Sequence, residues 1–535
     1  MRLPAEQESR PPAWFWGIPL LAGGLRMLPF LAQRFVEPPP GTAWLPVSYL
    51  PKDFLQYAAF SRQVVVDGSF FFYNPFTTEP QADRFVLAFH WAVGLVAKAC
   101  GAAPFTAFEW SRIPLLFAFF AALWWFLRPA LPDRRERGMA ALLVGFAGGL
   151  EGFVRPFAEG WLPPGGTLRL LQDTSPLHGW SPFAGFYNPL WIAALTLALL
   201  VLRPLLFERE RSPGRLAACA AGLVGLFFVH PYTALGVGVI ATLHPLVARL
   251  CGENPPVRRW LEDLAVLGAA ALVAGSVSLW QLQDAVYRQG TGGVLGDQNL
   301  SVLWYPLTLG LLGAMAWVGA RRVRAARESA HPALFAWIGA VAALHWLPFL
   351  NGYKFVFLLP LPLCILAAPV ACDWLGSRLA SGWRGRALAV LAGVALFAGS
   401  ALQTATAVRS VGEVSAAPVD LMGMVELLAD EPTGNALVPS GLGNVLPAFS
   451  AHRVWVGHWF LTPDFFEREA LLHRLTTQPR MGPQLVRLLE EQAIRYIVVP
   501  RARADFVARQ LGASVAERRR VGGLELLVVE PGQGT

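Results

Sequence analysis

Eleven stretches of this chain are apolar over roughly the length that a helix needs to cross a bilayer, and that feature limits what it can fold into more than any other. They cover residues 12–33, 108–128, 138–154, 188–206, 215–230, 231–251, 261–283, 302–319, 333–350, 355–372 and 386–403. Composition agrees: 54% of the 535 residues are hydrophobic and 15% are charged, against about 25% charged in an ordinary soluble chain. The expected fold is an α-helical polytopic membrane protein with about eleven spans.

A twelfth apolar run, 85–103, contains His90 and Lys98. Positive charge decides how to place it, because Lys and Arg gather in short cytoplasmic loops. With 85–103 outside the membrane core, five arginine clusters share one side: Arg134-Arg135-Arg137, Arg209-Arg211-Arg215, Arg258-Arg259, Arg321-Arg322-Arg324-Arg327 and Arg378-Arg384-Arg386. A spanning 85–103 would move every one of them to the wrong side. The run is therefore expected to lie along the outer surface, with the N-terminus cytoplasmic and the C-terminus extracytoplasmic in a cell (inner or plasma) membrane. The first span lacks a small-residue cleavage site and reads as a retained anchor.

Two large external loops follow, 34–107 and 155–187. The first opens with the stiff Glu37-Pro38-Pro39-Pro40-Gly41. Both are rich in aromatics, Pro and Gly, a composition that argues for structure. Past residue 404 the pattern becomes a soluble α/β rhythm. Helices are expected over Leu421–Leu428, Asp464–Leu475 and Leu485–Gln492, and strands over Ala436–Pro439, Val454–Val456, Arg495–Val499 and Leu524–Val529. The domain reading is a transmembrane domain, 1–403, and a small C-terminal α/β extracytoplasmic domain, 404–535.

The formal net charge of +8 arises from the loop clusters and orients helices, so no nucleic-acid partner is expected. Cys100, Cys219, Cys251, Cys364 and Cys372 show neither zinc spacing nor a disulfide framework. Phosphate-cradling Gly-rich loops, His-Glu-x-x-His and serine elbows are missing from plausible contexts, which argues against ATP-driven transport and zinc hydrolysis.

In the first external loop, Pro51 opens a helical pattern with Phe54, Tyr57, Ala58 and Ser61 on one face, ending at Asp67-Gly68. Asp53 falls in its first turn and Tyr57 one turn on. A carboxylate at the membrane surface under aromatic cover is suited to be a general base, and an acid at that position also serves as a plain helix cap. Downstream stands Asp67-Gly68-Ser69-Phe70-Phe71-Phe72-Tyr73-Asn74-Pro75-Phe76-Thr77.

An early acid in the first external loop, an Asp-Gly pair and then Asn-Pro-aromatic-Thr resemble bacterial membrane glycosyltransferases of the GT-C superfamily. The resemblance implies a sugar donor linked to polyprenyl phosphate, with Asp53 at the position of the catalytic acid and 85–103 as a surface helix of that loop. His230-Pro231-Tyr232, at a helix junction, resembles a motif of the same superfamily. Asn351-Gly352-Tyr353-Lys354-Phe355 is similar to a segment that meets the lipid phosphate. Gly457-His458-Trp459, with Thr462 and Phe465, resembles the extracytoplasmic tail. Substrate-binding roles are accordingly expected for Tyr57, His230, Tyr232, Tyr353, Lys354 and His458. The second acid common in these enzymes has a loose counterpart in Asp173, near His178. Either residue fits sugar or divalent-cation binding, and either fits an ordinary turn. No cofactor is certain, and a divalent cation stays open.

Arg26 lies within the first span, where a charge is costly. It is expected either to snorkel to the headgroups or to meet a lipid phosphate. Tyr187-Asn188-Pro189 fits a helix start, and Glu109 with Arg112 fits a structural i,i+3 pair. His244 and His345 read as core histidines. Asn299-Leu300-Ser301 matches a glycosylation triplet of little weight.

The expected function is an inverting glycosyltransferase of the cell envelope, moving a sugar from a polyprenyl-phosphate donor in the membrane lipid to an unknown acceptor hydroxyl. The alternatives are a transporter or flippase for lipid-linked saccharides, which predicts paired broken helices, and a non-catalytic assembly protein.

Overall fold

The structure, a computed structural model, describes residues 10–48, 51–148, 185–208, 210–292, 304–326, 331–347 and 352–530. Two compact units emerge, and each draws on distant parts of the chain. A membrane unit comprises Met1–Pro29, Trp110–Ser276 and Leu295–Arg409, and a sheet unit comprises Phe30–Glu109, Val277–Val294 and Ser410–Thr535. The division is thus interleaved rather than a single cut near residue 404, and the last long helix runs on to Arg409.

Among the described residues seven helices are long and apolar enough to cross a membrane: Ala13–Ala32, Pro104–Ala130, Pro189–Phe207, Pro231–Leu250, Val257–Gln281, Pro360–Ala380 and Gly382–Arg409. The other four expected spans are helical as well. Arg134–Phe146 has 13 described residues, Pro213–Val229 has 17 and His331–Trp346 has 16. Trp304–Ala326 has 23 residues, with a break at Gly310 (φ 45°). At 1.5 Å per residue, the shorter ones fall below the roughly 30 Å hydrocarbon thickness. The protein is a multi-pass membrane protein, mostly helical, with a small sheet-containing part at its C-terminal end.

Local sequence explains where these helices begin. Asn188, Ser212 and His230 each precede a proline and cap the following helix, accepting hydrogen bonds from the N–H groups of Leu190, Arg215 and Thr233. Proline costs nothing at that position, because its missing N–H is one the helix leaves unbonded anyway. Within the membrane unit Gly319 lets its helix touch the Pro360–Ala380 helix. A Cβ there would stand 1.8 Å from the Leu366 carbonyl oxygen, the close approach that small residues permit between membrane helices. Charges at helix ends are paired: Arg211 with buried Asp263, and Glu208 with Arg203 and Arg215.

The sheet unit carries five strands in the order Arg453–Val454, Asn435–Leu437, Ile494–Pro500, Leu524–Val529 and Val515–Val521. The first two pairings are parallel and the last two antiparallel. Val515–Val521 is a strand that the sequence pattern did not announce. The first loop belongs to this unit. Thr42–Trp44 pairs with Ala416–Pro418, and Phe71–Phe72 pairs with Phe85–Val86. The 277–294 segment joins through Gln281, whose Nε2 donates to the Arg84 carbonyl at 2.8 Å, and Asp284, which accepts the Ala82 N–H at 2.9 Å.

The apolar run 85–103 becomes the helix Ala88–Cys100, whose 13 residues extend about 20 Å and cannot cross a bilayer. It buries Phe89, His90, Val93, Gly94 and Ala97. Gly101 ends it in the left-handed conformation (φ 61°), its N–H turned back to the Ala97 and Lys98 carbonyls.

Candidate functional site

Asp53 sits in the first turn of the helix Pro51–Asp67. That helix is anchored on its other sides. Phe54 meets Phe108 at 4.9 Å between ring centroids, and Tyr57 meets Phe108 at 5.4 Å and His90 at 4.9 Å. The Ser61 hydroxyl donates to the His90 carbonyl at 3.1 Å. Gly94 lets the two helices close, since a Cβ there would lie 2.7 Å from the Ser61 carbonyl oxygen. Against this buried framework the Asp53 side chain keeps 38% of its surface exposed. The aromatic cover expected over it is therefore partial.

His458 comes to Asp53 from the far end of the chain, its Nε2 3.6 Å from Asp53 Oδ1. The imidazole is 2% exposed and lies 5.6 Å from the Phe76 ring. Its Nδ1 accepts the Phe460 N–H at 3.3 Å. The turn that carries it is held from several directions. The Thr462 hydroxyl accepts from the Gly457 N–H at 3.0 Å and donates to the Phe76 carbonyl at 2.8 Å. Asn74, fully buried, donates from Nδ2 to the Leu461 carbonyl at 2.7 Å and accepts the Phe76 N–H through Oδ1 at 3.0 Å. Gly443 and Gly457 bring a helix and the turn into backbone contact. The Asn-Pro-Phe-Thr motif is thus a clamp on the histidine turn. Arg453, bonded to the Thr77 and Glu79 carbonyls, and the Arg468–Glu79 ion pair extend the same junction.

His90 is a second histidine of this unit, buried among Tyr57, Phe60 and Phe89. Neither ring nitrogen has a hydrogen-bond partner among the described residues. Burial pushes the imidazole down to about 3. The unfolded chain takes up this proton near pH 6.5 while the folded one does not until about pH 3, so stability is whole above about 6.5 and falls as the pH drops toward 3. At pH 5 the loss amounts to about 2 kcal/mol. Melting of purified His90→Phe is expected to differ less between pH 7.5 and pH 5 than that of the native protein, and an unchanged difference would refute the assignment.

Other expected site residues lie in the membrane unit. His230 is a helix cap, with Nδ1 2.7 Å from the Thr233 hydroxyl, and its ring packs edge-on to Phe357. Tyr232 packs on Phe355, and the Lys354 ammonium stands 4.5 Å over the Tyr232 ring. His230, Tyr232 and Lys354 thus form one cluster. Tyr353 starts the short helix Tyr353–Val356, with its side chain outside the described residues. Arg26 does not snorkel. It is fully buried, with its guanidinium 3.8 Å over the Tyr187 ring and bonded to Gln403 Oε1 at 3.1 Å. Arg112 donates to the Tyr187 carbonyl, while in the sheet unit Glu109 accepts from the Ser48 N–H and hydroxyl. His244 and His345 are buried in their helices, and all five cysteines are free thiols. Asp173, His178, Asn299 and Asn351 lie outside the described residues.

Among the described residues no three His, Cys, Asp or Glu side chains gather as a metal site. With Nδ1 accepting an N–H, the neutral His458 ring carries its proton on Nε2, the nitrogen that faces Asp53.

No protein-family model matches the sequence, and no curated protein is similar to it. Solved structures share the fold. The Archaeoglobus fulgidus oligosaccharyltransferase superposes with a TM-score of 0.54 at 12% identity, over 91% of this chain and 69% of that one. ArnT from Cupriavidus metallidurans bound to undecaprenyl phosphate gives 0.53 at 15% identity, over 96% and 98%. The arabinofuranosyltransferase AftD from Mycobacteria gives 0.51 at 17% identity, over 97% and 42%. The chain has the GT-C fold of membrane glycosyltransferases.

Proposed function

We propose that this protein transfers a sugar from a polyprenyl-phosphate donor to an acceptor hydroxyl on the extracytoplasmic side of the membrane, with Asp53 as general base. One observation carries the reading: the Asp53 carboxylate stays 38% exposed on a rigidly packed helix, with a buried histidine aimed at it. The shared fold with ArnT bound to undecaprenyl phosphate supports the choice of donor class. The placement of the arginine clusters supports a cytoplasmic N-terminus and an extracytoplasmic sheet unit.

In the reaction, the acceptor oxygen forms a bond to the anomeric carbon as the bond from that carbon to the phosphate oxygen breaks. The bonding pair leaves on the lipid phosphate, and the hydroxyl proton passes to Asp53. A single in-line displacement inverts the anomeric centre. Lys354 is the cation we assign to the donor phosphate, on the resemblance of its Asn-Gly-Tyr-Lys-Phe segment to one that meets a lipid phosphate; its ammonium stands 4.5 Å over the Tyr232 ring.

The test is a panel of undecaprenyl-phosphate sugars offered to the purified protein, with released undecaprenyl phosphate counted against sugar consumed. A glycosyltransferase releases the lipid phosphate one for one with the sugar it moves, or with slow loss to water when no acceptor is present. A flippase or an assembly protein releases none, and zero release across the panel would discard the reading. For the sugar that reacts, Lys354→Met is expected to raise the donor KM about tenfold with a smaller change in kcat.

A further inference from the structure

We infer that His458 is a positioning residue for Asp53: its Nε2–H holds one carboxylate oxygen, leaving the other to take the acceptor proton. This rests on the assignment of Asp53 as the base. Three observations converge on it. The Phe460 N–H occupies Nδ1 at 3.3 Å, so the neutral ring must carry its hydrogen on Nε2. Nε2 is buried and has no hydrogen-bond partner among the described residues. What it faces is Asp53 Oδ1, at 3.6 Å. A buried N–H left without an acceptor is costly, and the nearby carboxylate is the group that can relieve it. The separation exceeds hydrogen-bond length, and contacts of this kind tighten when substrate closes the site.

The same facts exclude two other roles. His458 is not itself the base, because one nitrogen is taken by a backbone N–H and the other already bears a proton. Nor is it a sugar ligand with a free edge, because the ring is 2% exposed. The turn that carries it is braced by Thr462 and Asn74, which allows the ring to set the direction of the carboxylate rather than follow it.

Among the described side chains, the charges on the elements packed around Asp53 are few. The packed helix Ser440–Phe449 has no titratable residue. Ala88–Cys100 carries His90, whose ring faces Tyr57, and Lys98 and Cys100 at its far end, with Lys98 near Gly68. On its own helix Tyr57 lies one turn on and Arg62 and Asp67 two or more turns away, while Lys52 is the preceding residue, its side chain outside the described ones.

The experiment reads the carboxyl directly and needs no sugar donor. Dicyclohexylcarbodiimide modifies protonated carboxyl groups, so its rate at Asp53, followed by peptide mass mapping between pH 4 and pH 8, reports the protonation midpoint. In the full-length protein His458→Phe is expected to raise that midpoint by about one pH unit, through loss of a donor to the charged form. His458→Gln, whose amide N–H reaches a similar position, is expected to recover at least half of the shift. Should the Phe variant not fold, His458→Met supplies the donor-free comparison. Superposed curves for native, donor-free and Gln proteins would overturn the inference, as would a Gln variant no closer to native than the donor-free one. Either failure is separate from failure of sugar transfer, because Asp53→Asn and the donor panel test that alone.

Discussion

Replacing Asp53 by Asn is expected to slow sugar transfer about 10²–10⁴-fold, equivalent to roughly 3–5 kcal/mol on the barrier, while leaving the fold intact. The carboxamide has the shape of the carboxylate and removes only its capacity to accept a proton. The native side chain is 38% exposed, so no buried charge is stranded and no core contact is lost. Asn also serves as well as Asp at a helix N-terminus. The remaining difference is the interaction of the charge with the helix dipole, about 0.3–1 kcal/mol. A helix-capping role therefore predicts a small change in melting temperature and full activity. The catalytic role predicts nearly the reverse: unchanged melting with transfer almost abolished. Transfer assays and melting on the same purified sample separate the two, and Asp53→Asn with native transfer would sink the assignment.

Gly443→Ala is expected to be the most damaging small substitution near the site. A Cβ on Gly443 would stand 2.0 Å from the Val456 carbonyl oxygen and 3.0 Å from Gly457 Cα. Both obstacles are backbone, so no side chain can swing aside. The turn on the other side is tied down by Thr462 and Asn74. Overpacking of this kind costs about 1–3 kcal/mol. Whatever shift relieves the clash moves the His458 turn relative to Asp53, and a displacement of about 1 Å is enough to lower a rate about 10²-fold. Gly441→Ala is the control. Gly441 sits in the same helix with nothing within 4 Å of its Cβ position, and Ala is the better helix former by about 1 kcal/mol. Gly441→Ala should equal or exceed native stability, while Gly443→Ala should melt earlier and transfer poorly. Equal melting of the two variants would show that the backbone contact is not as described.

These effects show where the sequence is readable. Apolar runs of spanning length announce the membrane helices because lipid forces every backbone polar group to bond within its own segment. The strand Leu524–Val529 stands out because five of its six residues are buried. Its neighbour Val515–Val521 does not, because Glu517 to Arg520 face solvent or ion-pair partners and leave no apolar alternation. Charges hold that edge instead: Arg518 and Arg520 meet buried Glu525, and Arg519 meets Glu431. The helix Ser440–Phe449 is disguised by Gly441, Gly443 and Pro447, which read locally as a loop, while burial of Leu442, Val445 and Leu446 makes it helical. At the site, Asp53, the Asn-Pro-Phe-Thr segment and His458 each stand out in the sequence, but their meeting does not. Pairing across hundreds of residues leaves no periodic trace, and only the folded chain brings a clamp, a histidine and a carboxylate together.

The span between those partners has a consequence for biosynthesis. Asn74 and the Leu461 carbonyl it grips are 387 residues apart. At a synthesis rate of about 5–20 residues per second, the first loop waits roughly 20–80 s for its clamp to be made. Through that interval the nascent chain displays Asp53 without His458 beside it. The pair of side chains at Asp53 is therefore assembled late, only once the segment around His458 has been made.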